Sequence, residues 1–355
     1  MEKKIKQRLD WIDISKGIGM LFIMLGHAPH PENMTKSFYT FHVPLFFFLS
    51  GILFSSAKYR SFGEFIKRQF FALVIPYISF SIFNYIFWIL IYHNVGDNPY
   101  SNDGINILAP ILGTVIAVRD LPWTLHNVAL WFLACLFTAE ILFYFIIKLT
   151  GGSHKNIGIC LFISSILGYL YCTYVGVKMP WSFDAAFTAV VFLGAGYLMK
   201  EKIYKISNYI AYLPLFLLIN MITGSRNSSV NLYENQYGNY VLFYISAFSG
   251  IFAVIAFAKK FEKQLDKIKI LTFIGRNSLV YLGFHQYILF PFIGLALENI
   301  PFYRLDNIHA LIIKGISYTL IAVLVIAPIA VLMNRYTPFL LGKRKQIYGS
   351  YRRTK

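Results

Sequence analysis

The chain is short of charge. Only 14% of its 355 residues are Asp, Glu, Lys or Arg, while 57% are hydrophobic and 18% aromatic. A water-soluble protein carries about 25% charged residues, so this composition argues against an ordinary soluble fold. Acidic residues are the scarcer half, 16 against 33 Lys and Arg, which leaves a net charge of +17. Cysteine is rarer still. Cys135, Cys160 and Cys172 all sit in apolar runs, with no CxxC and no metal-ligand spacing, and read as packing residues. There is no internal repeat, no low-complexity linker and no separable soluble domain. The longest polar segment, 93–130, holds Asp97, Asp103, Asp120, Trp123 and His126. It is too short and too rich in Pro and Gly to fold as an independent enzyme. The basic start, Lys3-Lys4-Ile5-Lys6-Gln7-Arg8, is like that of a signal peptide. The apolar run behind it contains Asp13 and Lys16 and lacks a small-x-small cleavage site, so it reads as an uncleaved first helix.

What the chain has in abundance is apolar runs. Ten are visible, at 12–28, 40–54, 70–92, 131–147, 157–174, 184–199, 206–222, 240–258, 279–297 and 310–333. A membrane-spanning helix needs about 20 such residues. The pattern predicts an all-α, polytopic transmembrane bundle of about ten spans over residues 1–333, followed by a basic tail, 334–355. An eleventh run, 105–118, is shorter and contains Pro110 and Gly113, which suits a re-entrant or interfacial segment.

The basic residues set the expected orientation. Of the 33 Lys and Arg, 26 fall in the termini and alternate loops, and the intervening loops carry only Lys36, Arg119, Lys178, Arg226 and Arg304. The positive-inside rule then puts both termini in the cytoplasm. Counting 105–118 as a span would turn the last four basic segments outward. The net charge is thereby assigned to topology and to contact with anionic membrane lipid. With no basic domain apart from the spans, nucleic-acid binding is not expected.

Ionisable groups within spans are costly and tend to be functional. Asp13, Lys16, His27, Glu140 and His285 are the five that stand out. Lys16 and His27 are eleven residues apart, which returns them to the same helix face within about 20° and separates them by about 16 Å along the axis. One face thus offers a cation near the cytoplasmic end and an imidazole near the outer end. Asp13, one turn before Lys16, is positioned to orient it. The blander reading makes Lys16 a snorkelling side chain and His27 a helix-end residue at headgroup level. His42 falls at a depth like that of His27. Ser50-Gly51 is either a functional patch or a notch for helix packing. Glu140, mid-span, needs a partner or a proton. His285 counts to about 9 Å into its span from the cytoplasmic side.

At these residues a family resemblance emerges. Lys16-x10-His27 resembles the Arg/Lys-x10-His motif of the acyltransferase family 3 membrane proteins, and Phe47-Phe48-Leu49-Ser50-Gly51 resembles their Phe-x-x-Ser-Gly motif. Phe65-Ile66-Lys67-Arg68-Gln69-Phe70 through Pro76-Tyr77, Leu130-Trp131-Phe132-Leu133, and Ile274-Gly275-Arg276-Asn277-Ser278-Leu279 with His285 are similar to further family segments. The wording from Phe41 to Gly51 is most like the fucose 4-O-acetylase-like branch. Lys16 stands where many relatives carry Arg, which keeps the charge and loses the guanidinium fork.

The resemblance implies an O-acyltransferase of the bacterial inner membrane. Such proteins move an acyl group, usually acetyl, from cytoplasmic acyl-CoA to a sugar hydroxyl of an extracytoplasmic glycan or its lipid-linked precursor. It implies His27 as general base, with Glu140 as a second catalytic candidate. Lys16, Arg68, Ser50, Gly51 and His285 become expected contacts of acetyl-CoA, the acyl-donor co-substrate, and His42 and Trp131 of the acceptor. No metal is implied, and polysaccharide-assembly proteins are conceivable partners. Two rival readings remain: a transporter or flippase for a glycan or lipid-linked sugar, and a non-catalytic subunit of a polysaccharide export system.

Overall fold

A computed structural model describes residues 9–92, 106–118, 125–205, 209–264 and 268–343. Asp97, Asp103, Asp120, Trp123 and the tail beyond residue 343 lie outside the described residues. The described chain is helical, without a β-strand.

Helix α1 (Asp10–His27) begins with Asp10 and Asp13 in its first turn and ends on His27, the polarity that suits a helix dipole. It has no exposed residue at any described position. Short α2 (Glu32–Phe38) and α3 (His42–Leu53) follow. The long α4 (Phe62–Ile91) comes next, then α5 (Leu108–Ile116). Four further helices, α6 (Val128–Thr150), α7 (His154–Tyr174), α8 (Pro180–Lys205) and α9 (Ile210–Arg226), lead to α10 (Tyr240–Phe261). Short α11 (Lys269–Arg276), α12 (Ser278–Leu297) and α13 (Ile308–Tyr336) complete the described chain.

Helix α1 is the hub. It packs on α3, α10, α11, α12 and α13. The outer helices turn large apolar side chains outward: Phe162 on α7 is 68% exposed and Leu324 on α13 is 72% exposed. Contiguous apolar surface of this kind is what lipid covers.

Among the described residues, seven helices are long and apolar enough to cross a membrane: α4, α6, α7, α8, α10, α12 and α13. The other three expected spans fall short of that standard. Helix α1 has only 18 residues and carries Asp10, Asp13 and Lys16. Helix α3 has 12 residues, and α9 is likewise short. Helices α1 and α3 are largely buried among the other helices, and the charge of α1 and the shortness of α3 keep them below that standard. Helix α5 is nine residues long, about 14 Å, too short to cross.

Glycines permit the closest crossings. A Cβ on Gly51 would enter the Leu193 carbonyl of α8, and one on Gly196 would enter the Phe48 carbonyl of α3. The Ser50-Gly51 pair therefore sits at the α3–α8 crossing. A Cβ on Gly275 would likewise enter the Asp13 carbonyl, and one on Gly17 the Leu271 carbonyl, which presses α11 against α1 backbone to backbone.

Besides Trp88–Tyr92 at the end of α4, two described stretches are locally wound to π geometry, Phe70–Val74 and His285–Leu289. Each precedes a proline, Pro76 or Pro291. Proline lacks the N–H for the carbonyl four residues back and clashes with it, and in both cases that carbonyl (Ala72, Tyr287) lies inside the widened turn. Single π turns of this kind concentrate at functional sites.

Candidate functional site at the two ends of α1

His27 and His285 meet. His27 Nδ1 lies 2.7 Å from His285 Nε2, and the rings are stacked with centroids 5.0 Å apart and planes 9° from parallel. His285 Nδ1 is 2.7 Å from the Tyr281 carbonyl. These distances assign the tautomers. A carbonyl only accepts, so His285 Nδ1 carries the hydrogen and donates it. In neutral His285, Nε2 is then the acceptor. His27 Nδ1 must therefore donate, which leaves His27 Nε2 with its lone pair. His285 is fully buried, and its ring meets the edge of Phe290 at 5.5 Å. The arrangement has the logic of a base whose far nitrogen is held by an orienting group.

The pairing changes the expected place of His285. Counting along its own span put it near the opposite end from His27. The structure brings the two together because α11 and α12 are fastened to the start of α1. Arg276 donates from Nε to Asp13 (3.1 Å) and from Nη2 to Asp10 (3.0 Å). Asn277 accepts from Asn334 of α13 at 2.7 Å. The Gly275-Arg276-Asn277 segment is thus a fastening, and it fixes the register in which α12 carries His285 past α1.

His42, whose field reaches His27, is also fixed. His42 Nδ1 donates to the Phe38 carbonyl (2.7 Å), and its ring lies 4.9 Å from that of Tyr39. Tyr39 donates its hydroxyl to the Gly26 carbonyl at 2.6 Å. Burial pushes the Tyr39 phenol up to about 12, so it remains a neutral donor. Asn220 supports this corner from below, donating to Ser246 (2.9 Å) and to Thr40 (3.3 Å). Among the described residues, no three His, Cys, Asp or Glu side chains could share a metal ion.

Trp131 meets the ring of Tyr233, 6.0 Å away, in the turn between α9 and α10. Lys178 lies over the Tyr233 ring, 5.0 Å from the centroid.

The other end of α1 is charged. Glu140 is buried, its Oε2 has no hydrogen-bond partner among the described residues, and Lys16 is the cation whose field reaches it. Glu140 thus joins Lys16 rather than the His27 dyad. Tyr59 also lies in the field of Glu140 and of Arg68, and the Arg68 guanidinium sits 5.6 Å from the Tyr59 ring centroid. Burial pushes the Tyr59 phenol up, with Arg68 opposing. Arg68 is exposed. Lys16, Arg68, Glu140 and Tyr59 therefore form one cluster, about 16 Å along the helix from His27.

Sequence reasoning missed several residues. Tyr39 and Tyr59 carry no motif that marks them. His126, buried in the turn before α6, lies 3.1 Å from Thr114 through Nε2, while its Nδ1 has no partner among the described residues. Asn84 Oδ1 and Gln286 Oε1 are buried without partners as well. The elements that carry these three side chains pack on one another. Only the adjacency of Gln286 to His285 could have pointed to any of them.

The family whose model matches is described as an acyltransferase domain, and the match runs over residues 9–335. The chain belongs to acyltransferase family 3. No curated protein matches it, and no solved structure does. For a family 3 acyltransferase, the matched region takes in both ends of α1 and nearly the whole helical bundle. The chain is a multi-pass membrane acyltransferase.

Proposed function

We propose that this acyltransferase is an O-acetyltransferase. It takes acetyl from acetyl-CoA on the cytoplasmic side and gives it to a sugar hydroxyl of an extracytoplasmic glycan or its lipid-linked precursor. Both termini are cytoplasmic in this reading, and the membrane is a bacterial inner membrane. The observation that carries the reading is the separation of two chemistries along α1. The Lys16–Arg68 end suits the phosphates of CoA, because fixed cations and exposed guanidinium groups hold phosphate well. The His27–His285 end suits proton transfer.

In the chemical step, His27 Nε2 accepts the hydroxyl proton as the sugar oxygen attacks the thioester carbonyl carbon. The C–S bond then breaks, and His27 returns the proton to the departing sulfur. The products are an acetyl ester and the free CoA thiol. His285 keeps His27 in the tautomer that exposes Nε2. Glu140 balances Lys16 and stands outside the proton path. Ser50 and Gly51 contribute through the α3–α8 crossing, and His42 and Trp131 through the acceptor side.

The test is radiolabelled acetyl-CoA supplied to inverted membrane vesicles. Label is expected in glycan, and His27→Ala abolishes it at unchanged protein level. Transport of unmodified sugar without labelling would make the chain a transporter. Full labelling in His27→Ala would make it a non-catalytic subunit.

A further inference from the structure

A polar cavity of about 390 Å³ opens beside the His27 end. One wall is formed by His30, Thr35, Lys36 and Tyr39, the other by the turn Ser229–Gln236. Tyr39 ties this cavity to the dyad, since its hydroxyl is bonded to the carbonyl of Gly26, the residue before His27.

The turn is held in several ways at once. Asn231 and Gln236 exchange two backbone hydrogen bonds, of 2.8 and 2.9 Å. Asn235, in the left-handed conformation at φ 56°, donates to Asp184. Asn227 Nδ2 donates to the Tyr237 carbonyl at 3.0 Å, and its Oδ1 accepts from the Asn239 amide at 2.7 Å. Glu234 is paired with Lys178. A wall fixed this firmly is a preorganised surface.

The charge of the cavity is one-sided. Among the described residues that line it, Lys36 is the one fixed charge and none is a carboxylate. Glu234, the acid in the turn, is neutralised by Lys178 and does not cancel Lys36. Apart from Val230, the remaining side chains are hydroxyl, amide and imidazole groups, which suit sugar hydroxyls.

We infer that this cavity is the acceptor subsite and that it selects a sugar bearing a negative charge, with Lys36 holding the carboxylate or phosphate. The inference rests on the acetyl-transfer reading above and adds the class of acceptor. An anionic group held at Lys36 would leave a neighbouring hydroxyl directed toward His27.

The test measures binding to the detergent-solubilised full chain by titration calorimetry, without acetyl-CoA. The probes are galacturonate oligosaccharides, neutral galactose oligosaccharides of matched length, and galactose 1-phosphate. The expected result is acidic binding about fivefold or more tighter than neutral, a reasonable size for a partly buried charge pair. The preference falls away in Lys36→Gln and survives in Lys36→Arg. Galacturonate against galactose phosphate tells a carboxylate acceptor from a phosphorylated one. If Lys36→Gln does not fold by gel filtration, the wild-type salt response decides, because the preference must weaken as salt rises. Equal binding of acidic and neutral probes, a preference unchanged in folded Lys36→Gln, or a salt-independent preference would each overturn the inference. Acid preference in a protein that transfers no acetyl would sink the transfer reading and leave the subsite. Acetyl transfer without acid preference would do the reverse.

Discussion

The two ends of α1 are built on different principles. At the His27 end, polar groups are held by directional hydrogen bonds to carbonyls and to one another, and proton positions follow from geometry. At the Lys16 end charge dominates: Arg276 is paired with Asp10 and Asp13, Lys16 acts on Glu140, and Glu140 and Arg68 act on Tyr59. Directional bonds fix which atom holds a proton, as a base requires. A field spread over several charged groups tolerates a large, flexible anion. One helix 18 residues long carries both, and its burial at the centre of the bundle keeps them in register.

Substitutions at the two ends should therefore fail in different ways. The largest effect is expected from His27→Ala, a loss of about 10²–10⁴-fold in kcat with little change in the KM for acetyl-CoA. A KM effect alone would erase the distinction between the ends. His285→Ala should lower kcat by about 10–100-fold, because the imidazole that orients His27 is lost. At the other end, Lys16→Ala should raise the KM for acetyl-CoA by about tenfold while Lys16→Arg stays near wild type. Wild-type kinetics in both would leave Lys16 a snorkelling residue. The smallest effect on chemistry is expected from Gly275→Ala. Its Cβ meets the Asp13 carbonyl, so it should cost about 1–3 kcal/mol of stability by overpacking. Thermal unfolding in detergent would measure it.

The sequence carried the helical class and the one-face relation of Lys16 to His27, because both are local properties of period and rise. It did not carry the meeting of His27 with His285, which are 258 residues apart. That contact depends on how Arg276 and Gly275 seat α11 and α12 on α1, and interhelical register leaves no mark in either helix alone. Glu140 illustrates the same limit. Its apolar setting showed that it needed a partner, and only the fold showed that Lys16 is the cation whose field reaches it. Helices α1 and α3 read as spans from their apolar runs, and only packing showed how far they are buried inside the bundle. Ser50-Gly51 was legible as a small-residue pair, and the facing Gly196 on α8 was the unseen half of the crossing.

The central claim is that His27 and His285 act as one unit in acyl transfer. The most direct measurement is a double-mutant cycle on kcat for acetyl transfer, using His27→Ala, His285→Ala and the pair. A unit predicts that the double variant is no slower than His27→Ala alone, since His285 acts only through His27. Losses that multiply across the two sites would contradict the claim and make His285 an independent contributor.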